Sequence, residues 1–319
     1  MTAKIKPDWA GESLLSQFVN LLINTKPIYN LMKQQARRVM IKTAEKNGIP
    51  WRKSYNKLET SAVKQKLKEN TNPKVVYPDY YKVPFHAYAE GNLCWQAAFE
   101  APSATYAVAL RVWPKENITW ETAHRRLRSS FHEVLAKYVT QDVQDILDIG
   151  CSVGISTLTL HRYYQQKQNH PVHTVGLDLS PYMLSVAKEL DTYNEISQWL
   201  HTQAENTELP DQSFDLVTLQ FITHELPGFA SKAIFQEALR LLRPGGSLAI
   251  VDNNPKSSVI QNLPPILFTL MKSTEPWSDN YYMFDIEECL KSVGFQVLTT
   301  VASDTRHRTI VAEKNKLTR

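Results

Sequence analysis

Residues 144 to 161, QDILDIGCSVGISTLTLH, place an acidic side chain, two glycines and small hydroxyl residues at a spacing suited to holding a ligand. Ile146, Leu147 and Ile149 read as a buried parallel strand, and Asp148 lies within its end. Gly150, Ser152 and Gly154 follow, and Ile155, Leu158 and Leu160 restart with helical spacing. Such a turn lets the backbone approach a bound molecule and leaves unpaired helix N–H groups facing it. A second acid stands at an equivalent place. PVHTVGLDLS ends a strand on Asp178, and Pro181 opens the next helix in the first-turn position that proline favours. A carboxylate at a strand end is placed to accept both hydroxyls of a ribose.

The spacing excludes the dinucleotide pattern, which needs G-x-G-x-x-G and an acid roughly 20 residues on. Here the turn is D-x-G-x-S-x-G and Asp178 lies thirty residues after Asp148, with the polar stretch YYQQKQNHP supplying the extra length. Other polar candidates lie in QFITHELPG, after the fourth strand, where ligands of open α/β sheets bind. His224 and Glu225 are the leading groups for moving or holding a proton. Each also has a plain structural role open to it, His224 as a helix-start residue bonded to backbone and Glu225 as an acid favoured by the helix dipole. Tyr281 and Tyr282 in SDNYYMFD line an acceptor pocket or pack in the core.

The D-x-G-x-S-x-G turn resembles motif I of class I S-adenosylmethionine (SAM) methyltransferases, usually D/E-x-G-x-G-x-G, with Ser152 replacing the middle glycine. HTQAENTELPDQSFDLVTLQ resembles the family's adenine-reading segment D-A-E-x-L-P-F-x-x-x-S-F-D, with Gln203 where the acid usually stands. An amide oxygen still accepts from the adenine amino group, without charge assistance. EALRLLRPGGSLAIVD resembles the third motif as helix, Pro-Gly-Gly turn and strand. The resemblance covers about residues 130 to 315. It implies SAM as cofactor, held by Asp148, Gly150, Cys151, Ser152, Gly154, Asp178, Leu179, Gln203, Ala204, Glu205 and Gln220, with His224, Glu225 and Tyr282 as catalytic candidates. A sulfonium methyl is already electrophilic, so the protein chiefly aligns a nucleophile and excludes water.

AENTELP and LRPGG most resemble the branch with ubiquinone and menaquinone C-methyltransferases and many small-molecule O- and N-methyltransferases. The segment YYKVPFHAY is similar to methyltransferase-like proteins of cyanobacteria and plastids. The implied activity is methyl transfer to a small organic acceptor; the other class in view is a SAM-binding regulatory or scaffold protein. Nucleic-acid and glutamine amino methyltransferases carry N/D-P-P-Y/F after strand four, whereas this chain has Thr223-His224-Glu225-Leu226-Pro227, which argues against a nucleic-acid partner.

The elements that must position these groups are strands 144–149, 172–178, 197–203, 214–220 and 246–252 alternating with helices 154–166, 181–191 and 228–242. This order specifies a doubly wound, Rossmann-like α/β sheet, mostly parallel. The tail predicts helices near 259–273 and 285–293, then FQVLTTVA and HRTIVAEK, which are too close for a crossover and so form a hairpin, matching the antiparallel last strand of the class I sheet. The boundary falls at 115/116, between a helical and irregular extension or cap (1–115) and the SAM-binding methyltransferase domain (116–319).

In the extension, residues 12–23 read as an apolar helix, and a second helix after Pro27 carries Ile28, Leu31, Met32, Ala36, Val39 and Met40 opposite Lys33, Arg37, Arg38, Lys42 and Lys46. That second helix either caps the cleft or makes a peripheral contact with anionic membrane. A short helix is expected at 58–70, and the aromatic, proline-broken stretch 75–114 is not expected to be one long helix. His86 and Tyr88 are its polar groups of interest. A helix capped by Thr119 leads into the first strand.

Composition sets the outer limits. Hydrophobic content of 43% and charged content of 21% over 319 residues suit a soluble globular chain. Residues 1–75 hold fifteen Lys and Arg against five acids, a local +10 that leaves −6 elsewhere, given +4 overall. Cys94, Cys151 and Cys289 are scattered and unpaired by spacing, which points to neither a disulfide framework nor a metal site and fits a reducing cytoplasm. No apolar run reaches membrane-spanning length, and the first residues lack signal-peptide order.

Overall fold

The computed structural model describes residues 26–86, 88–264 and 273–316. The apolar helix expected at 12–23 lies outside them, as does most of that expected at 259–273. The extension contributes α1 (Lys26–Lys46), α2 (Trp51–Glu59), 3-10 turns at Ala62–Lys66 and Asp79–Tyr81, and α3 (Trp95–Leu110). Helix α4 (Trp120–Tyr138) then leads into β1 (Asp145–Ile149). The core continues with α5 (Ile155–Lys167), β2 (His173–Asp178), α6 (Pro181–Leu190), β3 (Gln198–His201), β4 (Phe214–Gln220), α7 (Gly228–Leu241) and β5 (Leu242–Asn253). A short α8 (Ser258–Gln261), α9 (Ser278–Met283), α10 (Ile286–Val293), β6 (Phe295–Ala302) and β7 (His307–Lys314) close the order.

The seven strands run β3-β2-β1-β4-β5-β7-β6. β1 to β5 pair in parallel, and β7 inserts antiparallel between β5 and β6. Alternation along the strands feeds two cores. Leu147, Val217 and Leu248 pack with Phe235 and Ile234 of α7 on one face. Ile146, Leu216 and Ala249 pack with Phe131 and Leu135 of α4 and Leu160 of α5 on the other. Both faces are covered, as a parallel sheet requires. The expected fold class is therefore the observed one.

One expectation in the extension needs correction. The helix expected at 58–70 lies earlier, as α2, because Pro50 directly precedes its first residue and Ser61 starts a separate 3-10 turn by accepting from the Val63 N–H. The aromatic stretch is, as expected, not one long helix, and its described residues stay without an α-helix as far as Cys94. Its second half folds as α3, where Cys94 caps the start and Ala97, Ala98, Ala101, Ala104 and Ala107 outweigh the internal Pro102. Thr119 caps α4 as expected, accepting from the Thr122 N–H at 3.3 Å.

Part of the cationic face of α1 points inward. Arg37 donates from Nε to Glu100 Oε2 at 3.2 Å and pairs through Nη2 with the other oxygen, and Tyr88 donates to Oε2 at 2.6 Å. Glu100 is fully buried, while Ile41 and Ala44 of α1 pack with Ile49, Trp51 and Ala107. Arg37→Gln strands a buried carboxylate and is expected to cost about 2–3 kcal/mol, less than a fully enclosed pair because Arg37 is half exposed. Urea unfolding checks this; an unchanged midpoint would mean that Glu100 is protonated or rehydrated.

Candidate active site

The glycine turn is built as its spacing predicts. Gly150, Ser152 and Gly154 all have left-handed backbone, with φ of 70°, 50° and 76°. A Cβ on Gly150 would stand 2.1 Å from Ile222, and one on Gly154 would stand 2.3 Å from the ring of Trp199. The N–H groups of Gly150 and Cys151 donate to the Leu177 carbonyl at 2.8 and 2.9 Å, so the turn is tied to the end of β2. Ser152 occupies the left-handed position that the family motif gives to glycine, and its N–H donates to Asp178 Oδ2 at 2.8 Å.

Asp178 also accepts from the Ser180 N–H at 2.8 Å. Burial pushes its pKa up to about 6 even though backbone N–H groups favour the ionised form. Two occupied acceptor positions leave two lone pairs of the carboxylate for a ligand's hydroxyls. Asp148 is more enclosed. It accepts from Thr157 Oγ1 and Thr218 Oγ1 at 2.6 Å and from Gln220 Nε2 at 3.2 Å, which pins α5 and β4 to β1. Burial raises its pKa against those three bonds and the charge of Arg128.

Arg128 is the group that motif reasoning missed. Its side chain is buried, donates from Nε to His124 Nε2 at 3.2 Å and lies 5.4 Å over the Phe221 ring at the end of β4. Nη1 of Arg128 and Oε1 of Gln220 are buried and lack a hydrogen-bond partner among the described residues. Burial lowers the guanidinium to about 10 while Asp148 holds it up, so it stays charged at neutral pH. The signal was in the helical phase, since Arg128 falls three residues before Phe131 and four after His124 on the inner stripe of α4.

The remaining donor-side candidates meet the extension. Tyr80 donates through its hydroxyl to Glu205, and Gln203 donates through Nε2 to the Val76 carbonyl. Asn72 N–H donates to His201 Nδ1 at 2.9 Å, and His201 Nε2 lies 3.0 Å from the Leu179 carbonyl. Ser180 donates to the Asn92 carbonyl at 2.7 Å. Ala204 is half-buried at the rim of the adjoining core, and Cys151 is buried beside Gly176. Segment 72–92 is thus fastened across the ends of β2 and β3. The cavity beneath it, about 40 Å³, is lined by Tyr80, Tyr81, Phe85, Ile222 and Glu225 among others.

Beside the cavity-lining Glu225 the loop after β4 is polar. His224 Nδ1 lies 2.7 Å from Asp252 Oδ1, and Asp252 also accepts from Thr223 Oγ1 at 2.5 Å, the His224 N–H at 3.0 Å and the Asn253 N–H at 2.7 Å. Burial works against charge on His224, but Asp252 overrides it and raises the imidazole, while Asp252 itself is lowered. Burial pushes Glu225 up to about 8 against the pull of His224. His86 Nε2 lies 3.7 Å from Glu225 Oε1. Tyr281 meets the His224 ring edge-on at 6.3 Å and donates to the Asn253 carbonyl, and both Tyr281 and Tyr282 are buried in the adjoining core. Of the two tyrosines, Tyr281 is the one in contact with His224.

A β3-β2-β1-β4-β5-β7-β6 sheet with a glycine turn and an acidic strand end on its carboxyl edge defines the class I methyltransferase type. Residues 147–250 match the family described as a methyltransferase domain. It is 36% identical over 112 residues to a demethylmenaquinone methyltransferase of Listeria monocytogenes, covering 34% of this chain and 45% of that one. It is 32% identical over 128 residues to one of Staphylococcus epidermidis, covering 39% and 51%. The chain therefore spans about half the length of the curated relatives it matches. A SAM-dependent methyltransferase structure from Aquifex aeolicus aligns with TM-score 0.44 at 19% identity, over 58% of this chain and 92% of that one. Among the described residues no helix is long and apolar enough to cross a membrane.

Proposed function

We propose that this chain transfers a methyl group from SAM to a small organic acceptor and releases S-adenosylhomocysteine. The observation that carries the proposal is one continuous edge. Asp178 stands at the end of β2 beside the Gly150–Gly154 turn, and a cavity walled by Tyr81, Phe85 and Glu225 adjoins it. The carboxylate suits the ribose, Arg128 Nη1 and Gln220 Oε1 suit the carboxylate and ammonium of the methionyl end, and the aromatic cavity suits a flat acceptor. The names of the Listeria and Staphylococcus relatives favour a quinone-like ring for that acceptor. At about 40 Å³ the cavity is far below the roughly 300 Å³ of a ligand pocket, so segment 72–92 lifts to admit both molecules.

Calorimetry with SAM tests the donor half. Asp178→Ala is expected to weaken SAM and S-adenosylhomocysteine about tenfold or more, as two hydrogen bonds to a charged group are lost. Affinity for the unmodified protein should also fall as pH drops through about 6, because Asp178 is then protonated. Equal affinity for both proteins would remove Asp178 from the site, and tighter binding of a nicotinamide dinucleotide would reject the class of ligand. Release of S-adenosylhomocysteine on a metabolite extract separates an enzyme from a SAM-binding regulator.

The N-terminal extension acts as a cap in this proposal. Ile41 and Ala44 are already buried and Arg37 is engaged with Glu100. Adsorption to anionic vesicles is therefore expected to be weak at low salt and no weaker when Arg37, Arg38 and Lys42 become glutamine. Strong, charge-dependent co-sedimentation would instead support acceptor delivery from a bilayer.

A further inference from the structure

We propose that His86, His224 and Glu275 form a site for one divalent transition-metal ion, next to Glu225 of the acceptor cavity. The proposal rests on the methyltransferase reading above only in assigning the ion to the acceptor half of that edge. One ring nitrogen of each histidine and one oxygen of Glu275 lie within 4.8 Å of one another. Around an ion held at about 2.1 Å, neighbouring ligand atoms stand roughly 3 to 3.5 Å apart, so closure needs side-chain shifts on the order of 1 Å. Two imidazoles and one carboxylate are the donor set of zinc centres that keep a position for substrate, and of non-haem iron sites.

The surroundings of these three groups fit the same ion. The Nδ1–H of His224 donates to Asp252 at 2.7 Å, which fixes the ring's orientation, so an ion that displaces the proton on Nε2 gains that nitrogen's lone pair. Asp252 is itself fixed by Thr223 Oγ1 and two backbone N–H groups. A carboxylate behind a histidine in this way orients metal-bound imidazoles and raises their basicity.

Charge points the same way. Three carboxylates, Glu225, Asp252 and Glu275, stand around the two imidazoles, with His86 Nε2 3.7 Å from Glu225 and His224 Nδ1 2.7 Å from Asp252. A divalent cation would balance that concentration of negative charge. His86 is also delivered deliberately. Its backbone is left-handed, with φ of 47°, and its N–H donates to the Thr274 carbonyl at 2.8 Å, so the main chain carrying His86 is tied to the residue preceding Glu275. Non-glycine residues keep such backbone where surrounding structure imposes it, and they cluster at ligand sites.

Cobalt(II) is the probe. Chelator-treated full-length protein titrated with Co2+ is expected to take up one equivalent and develop visible d–d absorption. His86→Ala and Glu275→Gln should each weaken uptake at least tenfold, and Asp252→Asn by about 10- to 100-fold through loss of the orienting carboxylate. Calorimetry with SAM on the same samples reports folding and the donor half separately. Featureless wild-type spectra, or bands that persist unchanged in both His86→Ala and Glu275→Gln, overturn the metal site while leaving the methyltransferase proposal intact if SAM still binds. Metal uptake without any SAM binding would do the reverse.

Discussion

His224→Ala is expected to lower methyl transfer by about 100-fold or more while the affinity for SAM stays within about twofold. The expected size follows from the place of the ring. His224 directly precedes the cavity-lining Glu225, and Asp252 holds both its orientation and its proton, so in the proposed site it meets the acceptor as a fixed cation or as the ligand of one. Either contact strengthens as charge develops on the acceptor, and groups of that kind contribute roughly 10² to 10³ in rate. Asp252→Asn keeps the shape of the pair but removes the charge, and should fall between the two proteins. Single-turnover rates with saturating SAM, beside SAM calorimetry, decide the case. A joint loss of turnover and SAM binding would mean that His224 merely holds the loop after β4 in place.

Arg128→Met is expected to weaken SAM and S-adenosylhomocysteine by about 30- to 100-fold, the value of a lost buried charge-assisted hydrogen bond of roughly 2–3 kcal/mol. Binding of 5′-methylthioadenosine, which lacks the amino-acid portion, should change less than about threefold. The contrast isolates the methionyl carboxylate from the ribose and adenine. It follows from a buried guanidinium whose Nη1 has no partner among the described residues and whose neighbour Gln220 keeps an equally unpartnered Oε1. Arg128 also donates to His124 and shares its charge with the buried Asp148, so the variant is expected to melt lower than wild type as well. Equal losses for SAM and 5′-methylthioadenosine would assign Arg128 to the support of α4 and Asp148 alone.

The sequence alone determined the sheet and the glycine turn, because both are local. Short apolar runs such as Ile146 to Ile149, the proline opening α6 and the hairpin of β6 and β7 follow from neighbouring residues and short connections. The left-handed backbone at Gly150 and Gly154 is legible for the same reason, since only glycine adopts it without cost and the spacing marks it. The acids at strand ends and His224 in the loop after β4 were visible as residue types in known places.

Tertiary structure decided what those groups touch. Asp148 is closed off by Thr157, Thr218 and Gln220, whereas Asp178 keeps lone pairs to offer, and nothing in the local sequence around either acid distinguishes them. Arg128 became a site residue because α4 turns it against the end of β4. His86 and Glu275 are far apart in the chain and join His224 only because segment 72–92 crosses the carboxyl edge of the sheet. The extension itself was the least legible part, since α3 is decided by Ala-rich propensity and by packing on α6, and Arg37 is drawn inward by a carboxylate 63 residues away. Long-range pairing of buried charges leaves no period in the sequence, and it is this pairing that sets the electrostatics of the site.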